Sequence, residues 1–328
     1  MSGHVLRAKG DQLEIRYQGA GDVVYFKMFE GLERMLKKQE DGVFVGNLTI
    51  PNLAQSIFSY ELRIYVQDTT GKMISVPYEP PEPGVRHFVW AGDQRMISYI
   101  QADSMVGRLE TNRVESQFLE EARDITIYTP IDQNEETPIF YLTDGSVVEV
   151  YAPYIDQLIQ KKRIRPVKLV GIHSSLENRY QEYVNNGIVN EYFKPHERFF
   201  YQEVLPKVEG EIPGWMGQRY AYGFSNGAAF CLYAGINHPD KFEEIVAFST
   251  ADYISEFVQP IEFNFAEYPS FYLGAGRYED DIYENSVAFV PKMQKENIEV
   301  EFVTFIAGHD YNVWRYEFLE YLLDRFAK

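Results

Sequence analysis

The chain has 328 residues, 45% hydrophobic and 24% charged, an ordinary globular composition with length enough for two domains, so extended disorder is excluded. Its 31 basic and 49 acidic side chains leave a formal net charge of -18, which repels a phosphate backbone and removes nucleic acid from the expected partners. No basic segment with a following apolar run opens the chain, no stretch reaches the length of a membrane span, and the lone Cys231 cannot close an internal disulfide; no membrane association and a cytoplasmic location are therefore expected.

From Gln12 to Val89 short alternating runs (Leu13–Tyr17, Val23–Phe26, Val43–Val45, Phe58–Val66) are separated by turn residues such as Asp41-Gly42 and Thr70-Gly71, which predicts a small all-β, immunoglobulin-like sandwich. The proline-rich stretch Val76–Gly84 lacks ladder donors and reads as an edge or irregular connection. The pattern loosens after Trp90 and Met96, and a new strand begins at Asp124–Pro130. This sets the expected domains at 1–105 and 106–328.

The second part carries compact apolar runs at Pro138–Leu142, Val167–Ile172, Tyr220–Gly223, Ile245–Phe248, Ser270–Leu273 and Val300–Phe305, the pattern of buried strands. Helical spacing recurs at Tyr154–Lys161, Phe199–Lys207 and Trp314–Phe326. Strands alternating with helices imply a mostly parallel sheet covered on both faces, an α/β domain.

Gly223-Phe224-Ser225-Asn226-Gly227 is a G-x-S-x-G motif placed between a strand and an apolar helical run. That is the context in which a serine is held at a sharp turn with glycines allowing close packing on either side. A serine hydroxyl needs a base. Of His4, His87, His173, His196, His238 and His309, only His309 follows the last strand, where the chain order serine, acid, histidine of α/β-hydrolases places it. Cys231 lies within the run after Ser225 and reads as a buried helix residue.

A carboxylate should leave the strand between the two, and Phe271–Asp281 offers Glu279, favoured by its place in the loop, with Asp280 as competitor and Asp280 and Asp281 both suited to capping the next helix. The oxyanion should meet the backbone N–H of Asn226 and an N–H from the loop Leu142–Gly145, for which Thr143 is the candidate. Asp144 precedes the serine, against the usual order for a catalytic acid, and reads as a loop brace. Asp144, His173 at the end of its strand, and Tyr311 are candidate pocket residues. Neither a metal-ligand cluster nor a phosphate-binding loop appears, so no cofactor is expected.

These residues, with Tyr128-Thr129-Pro130, Tyr141–Gly145, Arg179, Glu182-Tyr183, Glu203–Pro206, Pro239 with Phe242, Gly308-His309-Asp310 and Trp314-Arg315, resemble the esterase family that includes enterochelin esterases, feruloyl and acetyl xylan esterases and S-formylglutathione hydrolase. The resemblance spans about Gly107–Lys328. Ser225-Asn226-Gly227-Ala228 departs from the family's usual Ser-Met-Gly-Gly at a side chain next to the nucleophile, which bears on pocket shape rather than on reaction type. The resemblance implies an α/β-hydrolase fold and a serine esterase acting on a small-molecule ester. An acyltransferase with the same triad and a non-catalytic binding protein are the alternatives. Homo-oligomerisation is left open. A β-sandwich ahead of the hydrolase resembles that of enterochelin esterases, although their anionic siderophore suits a chain of this charge poorly.

Overall fold

The structure is a computed structural model that describes residues 3–28, 32–80, 87–92, 104–185, 191–250, 253–254 and 261–328. It gathers into two compact units. One is Met1–Ile100 with Gly276–Tyr278 and Phe305–Tyr316, and the other is Gln101–Ala275, Glu279–Thr304 and Glu317–Lys328. Two short pieces of the later chain thus belong with the first hundred residues, an interleaving that periodicity does not register.

The first unit is antiparallel. Its strands β1 (Gly3–Lys9), β2 (Gln12–Gln18), β3 (Val23–Met28), β4 (Glu33–Lys38), β5 (Phe44–Thr49), β6 (Ile57–Gln67), β7 (Met73–Val76) and β8 (Phe88–Ala91) follow the order β1-β2-β5-β4-β3-β6-β7, with β8 also on β6. Because β4 pairs with both β3 and β5, the hydrogen-bonded path is continuous, a sheet curled over one core. Alternate residues fill that core: Leu13, Ile15 and Tyr17 from β2, Val24, Phe26 and Met28 from β3, and Phe58, Tyr60, Leu62 and Ile64 from β6. The two-residue period of a half-buried strand is the reason. Strand β4 buries only Leu36, between an exposed Met35 and charged residues, so alternation does not betray it. The proline-rich stretch loses regular structure after Val76, and its residues 81–84, like Met96, lie outside the described residues.

The second unit is built on a sheet of order β16-β15-β14-β13-β11-β12-β10-β9, comprising β9 (Arg108–Val114), β10 (Arg123–Thr129), β11 (Ile139–Thr143), β12 (Lys168–Ile172), β13 (Arg219–Phe224), β14 (Glu244–Phe248), β15 (Ser270–Gly276) and β16 (Val300–Phe305). Strand β10 runs antiparallel to β9 and β12, whereas β12, β11, β13, β14 and β15 are mutually parallel. The N–H groups of Phe271 and Arg277 meet the carbonyls of Glu299 and Phe305, so β16 climbs in the same direction. Every residue of β11, β12 and β14 is buried, which is why these strands read as unbroken apolar runs.

Between the strands lie α1 (Val147–Gln160), α2 (Arg179–Tyr183), α3 (Phe193–Phe199), α4 (Leu205–Gly210), α5 (Asn226–Asn237) and α6 (Asp281–Lys295), with a π turn at Phe200–Val204 joining α3 to α4, and α7 (Tyr311–Arg325) follows the last strand. Helix α1 starts seven residues before the predicted Tyr154 because it runs through Pro153. A sequence reading stops at a residue that donates no backbone hydrogen bond, but burial of Val147, Val148, Tyr151 and Ala152 holds the turns before it.

Candidate active site

Strands β13, β14 and β15 are adjacent and parallel, so Ser225, Ser249 and Glu279 leave the same carboxyl edge. Ser225 sits between the end of β13 and the start of α5 with φ 55° and ψ -129°, a region that side chains other than glycine rarely occupy and that costs on the order of 1–3 kcal/mol. Its N–H donates to the Phe248 carbonyl at 2.9 Å, and its carbonyl accepts from Ala229 at 3.3 Å. The turn is therefore held from both sides.

The two motif glycines are explained by space. A Cβ on Gly223 would stand 2.5 Å from the Gly227 carbonyl oxygen, and one on Gly227 would stand 2.1 Å from Thr143 Oγ1. The helix start and the strand before it are thus packed backbone to backbone at the serine, with the Thr143 side chain at the end of β11 filling the space beside both glycines. The Asn226 amide is in the first turn of α5, where N–H groups have no partner within the helix and the dipole favours an anion.

Glu279 and Asp280, adjacent in sequence, have opposite surroundings. Glu279 is buried, and Ser249 Oγ donates to its Oε2 at 2.8 Å. Ser249 is itself fully buried with φ 52°, and its N–H donates to the Gly274 carbonyl at 2.7 Å. Asp280 is exposed and sits at the N-cap of α6 with no side-chain cap bond, its carbonyl taking the Glu284 N–H at 3.1 Å. Sequence reasoning missed Ser249; the signal was a lone serine closing an apolar strand.

Around the loop after β11, Asp144 has φ 56° and its carboxylate is held bidentately by Arg179, Nε to Oδ1 at 2.5 Å and Nη2 to Oδ2 at 2.7 Å. Its N–H donates to Tyr183 Oη at 2.8 Å, and the Gly145 N–H donates to the Ile172 carbonyl at 3.0 Å. Thr143 Oγ1 is buried without a hydrogen-bond partner. His173 Nε2 meets Thr126 Oγ1 at 2.8 Å, and its ring lies where a side chain on Gly145 would go, 2.1 Å from that position. Burial lowers its pKa, which favours the neutral ring. Cys231 is buried in α5, where desolvation pushes its thiol far above the ordinary range, so it is no nucleophile.

His309 belongs to the first unit. It is half-buried, with its ring edge-on to Trp314 at 4.6 Å and 89°, while the exposed Tyr311 touches the same indole at 5.2 Å. Space does not demand the glycine before it, since a Cβ on Gly308 would make only one ordinary contact, 3.9 Å from Tyr278. Asp310, which follows His309 in the Gly308-His309-Asp310 run, is buried and engaged by Ser59 and Asn312. Among the described residues no group of three or more His, Cys, Asp and Glu side chains could hold a metal ion, and no helix is long and apolar enough to cross a membrane.

The model of the family described as "Putative esterase" matches residues 116–324, and the chain belongs to that family. It is accordingly an esterase. Among solved structures it is similar to the enterochelin esterase of Shigella flexneri, at 16% identity with a TM-score of 0.75, covering 98% of this chain and 95% of that one. A ferric enterobactin esterase from Salmonella typhimurium gives 15% identity and a TM-score of 0.74 over the same shares. A ferulic acid esterase gives 19% identity and a TM-score of 0.55, covering 67% of this chain and 98% of its own. At such identities the likeness is one of fold. No curated protein sequence matches the chain.

Proposed function

We propose that residues 106–328 form an α/β-hydrolase-fold catalytic domain behind an immunoglobulin-like β domain at 1–105, and that the protein is a serine carboxylic-ester hydrolase with Ser225 as nucleophile, His309 as general base and Glu279 as the acid that orients it. The observation that carries this reading is the backbone of Ser225, strained at φ 55° between β13 and α5. A chain keeps such a conformation where function uses it.

In the reaction, His309 takes the Ser225 proton as Oγ attacks the ester carbonyl, and the tetrahedral oxyanion is met by the Asn226 N–H and a second N–H from the loop after β11. Thr143 is the candidate for that second donor, and the amides of Asp144 and Gly145 are committed to Tyr183 and Ile172. Collapse of the intermediate expels the alcohol with the proton from His309 and leaves an acyl-enzyme. Water, deprotonated by His309, then releases the acid. With an alcohol in place of that water the same machinery would be an acyltransferase. Burial of Glu279 and its bond from Ser249 support it over the exposed Asp280. Asp144, His173 and Tyr311 are assigned to the pocket walls, and the ester is carbohydrate-borne, hydroxycinnamoyl or siderophore-derived.

The test is turnover of short-chain p-nitrophenyl, feruloyl and catechol-siderophore esters by the protein and by Ser225→Ala, with a fluorophosphonate probe alongside. Hydrolysis and labelling that both disappear in Ser225→Ala support the reading. Activity that survives in Ser225→Ala rejects it.

A further inference from the structure

The segment carrying His309 is held by the first unit through one compact buried network. Asp310 Oδ2 accepts the Ser59 N–H at 2.5 Å, and Oδ1 accepts Ser59 Oγ at 3.1 Å and the Asn312 N–H at 2.8 Å. Asn312 Nδ2 in turn donates to Ser59 Oγ at 2.8 Å. Ser59 is 4% exposed and Asp310 2%. One hydroxyl thus accepts from one side of the loop and donates to the other. Two residues earlier on β6, the Ile57 N–H donates to the Ile306 carbonyl at 3.2 Å, so alternate amides of one strand grip the segment on both sides of His309. The Asp310 carbonyl then receives the Trp314 N–H at 3.2 Å, and Trp314 is the ring that meets the His309 imidazole.

We infer that Ser59 is a positioning residue for catalysis, fixing the backbone at Asp310 and through it the direction of the His309 imidazole, so that the β domain is a working part of the esterase. Charge-assisted bonds to a buried carboxylate are the strong kind, and a donor removed from one leaves it under-satisfied. A displacement of about 1 Å at a reacting group is enough to cost roughly 100-fold in rate. The inference rests on the reading of His309 as general base.

The experiment compares full-length wild type, His309→Ala, Ser59→Ala, Ser59→Thr and Asn312→Ala, with kcat and KM measured separately on a p-nitrophenyl ester and the thermal midpoint recorded. Ser59→Ala keeps the backbone bond to Asp310 and is expected to lower kcat about tenfold with KM within twofold and little change in midpoint. Ser59→Thr, which keeps the hydroxyl, should recover most of it. Asn312→Ala removes the bond to Ser59 Oγ from the other side and should fall between them, and it decides the matter if Ser59→Ala fails to fold. Full kcat in Ser59→Ala, or in Asn312→Ala where that variant stands in, overturns the positioning role, as does a loss in which kcat, KM and midpoint fall together. Retained activity in His309→Ala instead overturns the reading of the base.

Discussion

At the scale of single residues, motif and chain order nominate Ser225 and His309, and place in the loop favours Glu279 over Asp280, which differs from it by one position. Their surroundings separate them. A carboxylate that orients an imidazole must be held against rotation, and Glu279 is buried and bonded by Ser249, whereas Asp280 is exposed at a helix start. We predict that Glu279→Gln lowers kcat by about 10³-fold or more, on the scale known for such amide replacements, while Asp280→Asn stays within a few-fold; steady-state kinetics on one chromogenic ester decides, and the reverse ranking reassigns the acid. Ser249 showed in the sequence only as a serine closing an apolar strand, because its contribution depends on a φ of 52° and a partner thirty residues away. The glycines make a second prediction at this scale. Gly227→Ala puts a Cβ 2.1 Å from Thr143 Oγ1, a clash with a buried strand residue that should cost about 1–3 kcal/mol along with most of the activity. Adding Thr143→Ala should return part of that stability in chemical denaturation, since the two sites are in contact.

At the scale of elements, the apolar strands of the parallel sheet were readable because burial on both faces leaves little room for polar residues. Edge strands such as β9, with the sequence Arg108–Val114, were not, because only Val114 of its seven residues is buried. The stretch from α3 through the π turn into α4 shows the same limit: the expected helix at Phe199–Lys207 marks its middle, while its first turn from Phe193 precedes that run and buries His196, a residue with no sequence signal of its own. That ring is fully enclosed, edge-on to Tyr183 at 5.4 Å and Phe230 at 5.2 Å. Burial lowers its pKa to about 4, against the pull of Glu182 and with the help of Arg123. In the unfolded chain the same ring protonates near 6.5, so between pH 6.5 and 4 the unfolded state binds more protons. The stability contributed by keeping His196 neutral is therefore complete above pH 6.5 and falls away as pH drops toward 4. Glu197, held down to about 2 mainly by His238 and Lys194 despite its burial, loses stability in the same direction but at lower pH. We predict that His196→Gln flattens the fall in thermal midpoint between pH 6.5 and 4.5; an unchanged slope would mean that other groups govern that window.

At the scale of the whole molecule, length suggests two domains and composition an acidic chain. The return of residues 276–278 and 305–316 to the first unit was invisible, since it is a matter of long-range bonds such as Tyr278 Oη to the Pro51 carbonyl and Ser59 to Asp310. Charge, by contrast, acts at this scale without reference to any contact. Several cations near the sheet are already committed to carboxylates: Arg179 to Asp144, Arg123 to Glu182 and Arg219 to Glu209. With a net charge of -18, the long-range field opposes the approach of an anionic ester and leaves a neutral one indifferent. Salt screens that field, with a Debye length falling from about 30 Å at 0.01 M to about 10 Å at 0.1 M. Raising ionic strength over that range should therefore increase kcat/KM for a carboxylate- or catecholate-bearing ester a few-fold while a neutral p-nitrophenyl ester stays within twofold. If the charged ester instead loses kcat/KM as salt is added, a local cationic pocket outweighs the global charge, and the siderophore-type substrate becomes the stronger assignment among the esters this site could cleave.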